Sequence, residues 1–430
     1  MGLRVSVLSP LPTVSEFPAD VFRLENGLTV IHQYVPATPV AVVDVWVRAG
    51  ATREPDHWSG MAHFLEHMIF KGTDQIPPGL FDQIVENWGG VTNAATSHDY
   101  AHFFITTAVC YLADTLPYLA ELLLNAAIPD DEFVRERDVV LEEIRQAQDN
   151  PDWIGFQALM ESVYQNHPYG RPVLGTESHL LKHSPEEMRC FHSCHYQPEN
   201  MAVVIVGGID RESALELVSQ SFLRSFVTPS DTLAIAPPPP SKIVGVRRQE
   251  LCLPRIEEAR LMMAWTGPGV AELRNAYGLD LLSVLLAEGR SSRLVRELRE
   301  EDQLVHSISS SFSLQQESSL FTITAWLDSE NLQLVEAMIA HHLEKLQTNL
   351  VSETELKRSK RLLCNDYAFS TESPAQLAGL YGYYNTIAQA EVAVSYPQQI
   401  QKFAAQDLQQ LAQQYISPED YAITVLKPYG

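Results

Sequence analysis

One order of elements occurs twice along this chain, and that repetition narrows the folds open to it. Phe104-Ile105-Thr106-Thr107-Ala108-Val109 and Phe321-Thr322-Ile323-Thr324-Ala325-Trp326 are rich in β-branched and aromatic residues, and each stands just before a long helical pattern. In the first half, residues 20–35 read as two strands around an Asn26-Gly27 turn, a hairpin signal. Val40 to Val47 is a near-continuous apolar strand. Pro77-Pro78 open a helix, Gly89-Gly90 close it, and Val91 to Thr96 begins another strand. Helices are expected near 111–125 and 130–149, and a buried strand over 201–206. In the second half, strands are expected over 260–266, 305–314 and 319–327, with helices over 271–288, 292–300 and 330–350. Between the halves, Pro237-Pro238-Pro239-Pro240 marks a semi-rigid spacer. The expected domains are therefore 1–228, a linker over 229–242, and 243–430. The expected fold class is α+β: two homologous α/β-roll halves, each a mainly antiparallel sheet packed against helices.

The run His63-Phe64-Leu65-Glu66-His67 carries the chemistry. On a helix, positions i and i+4 share a face, so both imidazoles can reach one point in space. Glu66 is turned from His67 by about 100° and still comes near that point. Two neutral imidazoles and one further ligand make a zinc site with an open fourth position, and the remaining carboxylate can take a proton from water there. This is the H-x-x-E-H order found among zinc peptidases. Gly60-Met61-Ala62 and Met68-Ile69-Phe70 flank it with apolar residues, so the helix should be largely buried, where His and Glu need partners. The second half has no such motif.

A third ligand is sought in Glu136-Arg137-Asp138-Val139-Val140-Leu141-Glu142-Glu143-Ile144. Glu136 and Glu143 lie seven apart and share a face. Phe133, Val140 and Ile144 mark the buried stripe, with Glu143 beside it and Glu142 further round. A solvated acidic helix is the competing reading of all three. Cys190, His192, Cys194 and His195 also cluster, but they read as a helix end passing into the turn 197–200, with no second metal knuckle in sight.

Composition bounds the remaining choices. A chain of 430 residues with 45% apolar and 20% charged residues is ordinary for a globular protein of several domains. A net charge of −24 argues against nucleic-acid binding and favours cationic peptides as partners. No apolar run approaches the roughly 20 residues of a membrane span. Residues 1–24 show no signal-peptide core, and five cysteines, an odd number, fit a reducing compartment. A cytoplasmic setting is expected.

The chain resembles the pitrilysin-like, or inverzincin, zinc peptidases, in the short class related to mitochondrial processing peptidase. The resemblance rests on the stretch from Gly60 to Thr73, on Gly90-Val91-Thr92-Asn93-Ala94-Ala95-Thr96, on the Glu136 to Ile144 run and on Pro198-Glu199-Asn200-Met201. It implies that His63, His67 and Glu143 bind Zn2+, that Glu66 is the base, and that Glu136 supports the site from behind its ligands. It implies that Asn93, Ala94, Ala95 and Thr96 form an edge strand to which a substrate peptide adds. From the second half the family supplies an Arg and, seven residues later, a Tyr. Arg299 matches the Arg, but His306 stands where the Tyr would be. His can donate one hydrogen bond, over a shorter reach and with a charge that varies with pH. The implied activity is zinc-dependent endopeptidase action on peptides or unfolded segments in a closed chamber, by a homodimer or a heterodimer with a paralogous subunit. The alternatives are a non-catalytic scaffold of the same fold, or the zinc-bearing subunit of an obligate heterodimer.

Overall fold

A computed structural model describes residues 7–10, 17–222, 240–254 and 256–429. Of the expected linker, residues 229–239 lie outside the described residues. The chain forms two compact units. Among the described residues, the first holds 7–10, 17–144, 172–222 and 370–394, and the second holds 145–171, 240–254, 256–369 and 395–429.

The sheet of the first unit contains β1 (Val7–Pro10), β2 (Asp20–Leu24), β3 (Thr29–Tyr34), β4 (Val40–Val47), β5 (Val91–Thr96), β6 (Ala101–Ala108) and β7 (Met201–Gly207). Its spatial order is β1-β2-β3-β7-β4-β6-β5, antiparallel throughout except between β3 and β7. The near-continuous apolar reading of β4 has a simple cause: both faces of this strand are covered. Ala41, Val43, Val45 and Val47 join the core with helix α1 (Met61–Ile69), while Val42 and Trp46 face a second cluster with Ala378 and Tyr381. Those last two residues lie on the helix Pro374–Ile387, which packs against β4 and β7. It comes so close that a Cβ on Gly382 would meet Trp46 Nε1 at 2.0 Å. Strand β5 is the open edge of the sheet and alternates between exposed and half-buried residues. Helices α2 (Leu80–Asn87), α3 (Leu112–Asn125) and α4 (Asp130–Gln148) complete the elements around α1.

The second unit repeats the arrangement with five strands: β8 (Val246–Leu253), β9 (Ala259–Pro268), β10 (Ser307–Leu314), β11 (Ser318–Leu327) and β12 (Tyr421–Pro428). Their order is β10-β11-β9-β12-β8, with β12 and β8 the one parallel pair. The helix Pro151–Tyr164 lies on β12, β9 and β8, where Leu159, Met160 and Val163 meet Met262, Ala264 and Leu426. The α+β class read from the sequence, with two mainly antiparallel sheets packed against helices, is the fold observed. No helix among the described residues is long and apolar enough to cross a membrane.

Candidate metal centre

Helix α1 is held by both its apolar face and its N-terminus. Met61, Ala62, Phe64, Leu65, Met68 and Ile69 are buried, leaving His63, Glu66 and His67 on the remaining face. Gly60 precedes the helix at φ +91°, where a Cβ would strike Leu174 O at 2.8 Å. Only glycine fits there without strain. The buried carboxylate of Glu54 caps the helix, accepting from Gly60 N at 3.0 Å and Ala62 N at 2.7 Å. A carboxylate on the unsatisfied amides of a helix start is stabilised by their dipoles. Sequence reasoning missed Glu54.

Helix α4 meets α1 through Phe64 and Phe133, whose ring centroids lie 4.6 Å apart. That contact sets the two polar faces together. His63, His67 and Glu143 each offer one ligand atom, all within 4.8 Å of one another. Glu143 Oε2 lies 3.7 Å from His63 Nε2 and 3.4 Å from His67 Nε2. Ligands around a tetrahedral zinc with bonds of about 2.1 Å sit about 3.4 Å apart, so the spacing fits such an ion. Glu142 points to solvent.

The protonation pattern fits a cation as well. Burial, helped by the neighbouring His67, pushes His63 down to about 4, so its ring is neutral at pH 7. Its Nδ1 is buried with no protein partner, and its Nε2 is beyond hydrogen-bond distance of Glu143. That leaves Nε2 available as a metal ligand. His67 differs. Burial lowers its pKa, but the hydrogen bond to Glu136 and the charges of Glu143 and Glu66 outweigh burial and hold it above the ordinary value. Its Nδ1 lies 3.0 Å from Glu136 Oε1, which leaves Nε2 facing Glu143. Glu136 in turn pairs with Lys71 Nζ at 2.6 Å. This chain of contacts orients the ring, as a carboxylate behind a metal-binding histidine does.

Glu66 sits beside the ligand group. Burial pushes its carboxyl up, while a hydrogen bond from Thr96 Oγ1 at 2.6 Å and the His67 and His102 rings oppose that shift. Thr96 ends edge strand β5, so this bond ties Glu66 to the strand of Asn93, Ala94 and Ala95. Tyr196, fully enclosed, has its hydroxyl pushed up by burial and then by Glu66. Tyr196 carried no signal in the sequence; Lys71 entered only as part of the Gly60 to Thr73 stretch.

Arg299 and His306 belong to the second unit. Arg299 lies in Val295–Glu301, a π-helical segment, and donates to Glu300 Oε1 from Nε and Nη2 at 2.9 and 2.6 Å. His306 donates its backbone N–H to Trp326 O, and its half-exposed ring lies 3.5 Å from Asp328 and 3.8 Å from Glu258.

Comparison with known proteins agrees with this geometry. The profile of the insulinase family, peptidase family M16, matches residues 29–177, and that of the peptidase M16 inactive domain matches 182–363. The zinc protease PqqE of Helicobacter pylori is 31% identical over 412 residues, covering 94% of this chain and 92% of that protein. The uncharacterized zinc protease YmxG of Bacillus subtilis is 27% identical over 412 residues, covering 95% and 98%. The crystal structure of a protease from Helicobacter pylori superposes with a TM-score of 0.89 at 29% identity, over 95% of this chain and 99% of that one. With an H-x-x-E-H helix meeting a glutamate helix, and likeness along nearly its whole length, the chain belongs to the insulinase-type zinc peptidases of family M16, in their short single-chain form.

Proposed function

We propose that the chain is a zinc-dependent endopeptidase in which His63, His67 and Glu143 hold Zn2+ and Glu66 moves the proton. The observation that carries this reading is the meeting of three ligand atoms within 4.8 Å beside a carboxylate tied to an edge strand. A bound Zn2+ supplies positive charge that polarises a peptide carbonyl and makes water acidic near neutral pH. Glu66, poised by burial to hold a proton, takes it from water and delivers it to the leaving amine. Glu136 keeps His67 Nε2 aimed at the ligand point. Strand β5 is the edge of the sheet, where the Asn93 side chain holds the Ala94 N–H at 2.9 Å, and a substrate peptide adds along Asn93, Ala94, Ala95 and Thr96 as a further strand, exchanging that local bond for its own. The test is peptide hydrolysis with and without a chelator, and with Glu66→Gln. Equal rates in all three sink the proposal.

Enclosure in a chamber, and the action of Arg299 and His306 on the developing oxyanion, rest on the family resemblance alone. The proposed substrates are short or unfolded peptides, cationic ones favoured by a net charge of −24. The odd number of cysteines, five, supports a cytoplasmic setting. The working form is a homodimer or a heterodimer with a paralogous chain. Sedimentation of the purified protein, followed by activity on adding a paralogue, separates the two.

A further inference from the structure

Asp44 is the one charged residue in Val-Ala-Val-Val-Asp-Val-Trp-Val, and it is 3% exposed. A buried carboxylate is costly unless it is paired. Its partner is His102, whose Nδ1 lies 3.0 Å from Asp44 Oδ1. The register of the sheet shows where this pair leads. Trp46 stands opposite His102, and His102 opposite Ala95. One step along, Asp44 stands opposite Phe104, and Phe104 opposite Asn93. Directly opposed residues share a face, so these six side chains form two rows across β4, β6 and β5. Ala101, Phe103 and Ile105 point to the other face, into the core with α1.

The rows run from buried to open. Trp46 lies under the helix Pro374–Ile387 and Asp44 is shut in. The His102 side chain is 19% exposed, and Ala95 and Asn93 at the sheet edge are open to solvent. The His102 ring stacks on Trp46 at 4.3 Å, and Phe104 lies 6.1 Å from it at a shallow angle. A carboxylate only accepts, so Nδ1 donates to Asp44, and the second nitrogen, Nε2, is left for a partner outside this pair. Among the described residues no group bonds to that nitrogen.

We propose that this shelf is a side-chain subsite for the bound peptide and that it selects an aromatic residue carrying a hydroxyl, tyrosine above phenylalanine. This rests on the reading of β5 as the strand that receives the substrate. A peptide added to β5 lies about 4.8 Å beyond it, with every second side chain on the Ala95 face. Because Ala95 is small, a long side chain opposite it can lie back toward His102. Its ring then covers the imidazole and Phe104, and a phenolic hydroxyl, which can donate or accept, pairs with Nε2.

The experiment uses the Glu66→Gln chain and fluorescent peptides in which one position at a time carries Tyr, Phe, Ala, Arg or Asp, read by anisotropy. At one position Tyr should bind about five- to tenfold tighter than Phe, the effect of one hydrogen bond. In the double variant Asp44→Val/His102→Phe, which removes both members of the buried pair, the Tyr/Phe ratio should fall to about one while Phe still exceeds Ala. Nitrogen NMR of the unsubstituted His102 ring adds a second readout: Tyr peptide, which bonds to Nε2, should move that resonance well beyond the shift that Phe peptide causes by stacking. Equal binding of Tyr and Phe at every position, Arg binding better than Tyr, or an unchanged ratio in the folded double variant overturns the proposal. Hydrolysis by the Glu66-intact chain is measured in parallel. Hydrolysis without Tyr selectivity rejects the subsite and leaves the peptidase reading standing. Tyr-selective binding without hydrolysis does the reverse.

Discussion

Replacing Glu136 by Gln separates a carboxylate that merely lies near the metal centre from one that orients a ligand. Glu136 uses both oxygens: Oε1 lies 3.0 Å from His67 Nδ1 and Oε2 lies 2.6 Å from Lys71 Nζ. Burial acts to raise its carboxyl pKa, yet the contacts with His67 and Lys71 hold it below the ordinary range. A glutamine amide keeps one acceptor oxygen and gains a donor. If its oxygen stays with His67, its NH2 faces the Lys71 ammonium, donor against donor. If the oxygen turns to Lys71, His67 loses the bond that aims it. Either way the imidazole is less basic and less fixed. Losses behind a metal ligand weaken metal binding by about 10- to 100-fold, or about 1.4–2.7 kcal/mol. The assay is competition for Zn2+ against a chromophoric chelator. Asp138→Asn, an exposed carboxylate on the same helix, serves as the control and should bind zinc normally. An affinity for the Glu136→Gln protein within about twofold of the unsubstituted chain refutes the argument, because an orienting carboxylate cannot be so silent.

Three further outcomes follow from the same contacts. Thr96→Val removes the donor to Glu66 while keeping the shape, and kcat for peptide hydrolysis should fall about tenfold with KM little changed, since the loss is at the proton-moving group. Gly60→Ala puts a Cβ 2.8 Å from Leu174 O at φ +91°, and urea unfolding should show a loss of about 1–3 kcal/mol, with zinc affinity reduced in step. Asp280, on the helix Leu273–Ala287, has its carboxyl pushed up to about 6, by burial first, with Asp366 adding to it and a hydrogen bond from Tyr396 opposing it. The folded chain therefore holds this proton more tightly than the unfolded one. The stability it contributes is full below about pH 4 and is lost as pH rises through about 6, by up to about 3 kcal/mol, less for the part of the group that reaches solvent. Unfolding of Asp280→Asn should show a flatter profile over that range, and identical profiles for the two proteins count against the reasoning.

Much of the fold was legible because its signals are local. Val40 to Val47, Val91 to Thr96 and Glu25-Asn26-Gly27 follow from side-chain alternation and turn chemistry, and the structure places β4, β5 and the β2–β3 turn at those residues. The helices Pro151–Tyr164 and Pro374–Ile387 were not read, and their partners are harder still to read. Each lies with the compact unit whose sheet comes mainly from the other half of the chain. Periodicity states that a helix has an apolar stripe; it carries no record of which sheet the stripe will meet. The π-helical winding around Arg299 was hidden for a related reason. A helix of longer repeat uses the same residues as an α-helix, and only its hydrogen bonds distinguish them.

The candidate site divides along the same line. His63 and His67 stand four apart in sequence, so helical geometry alone brings them to one point. Glu143 needed a second helix, and its face could be inferred from Phe133, Val140 and Ile144 because those residues had to be buried. Glu54 and Tyr196 gave no such handle: each acts through tertiary approach, with no spacing rule to mark it. Asp44 is the instructive intermediate. A lone carboxylate inside an otherwise apolar central strand is a local anomaly, visible in the sequence, and physics demands a partner for it. The partner, His102, stands 58 residues away and is fixed by strand register rather than by chain distance. A buried charge in an apolar strand is thus a pointer whose target the sequence leaves blank. Here the register carries that pointer outward, through His102, to the open edge at Ala95, on the strand whose last residue, Thr96, bonds to Glu66.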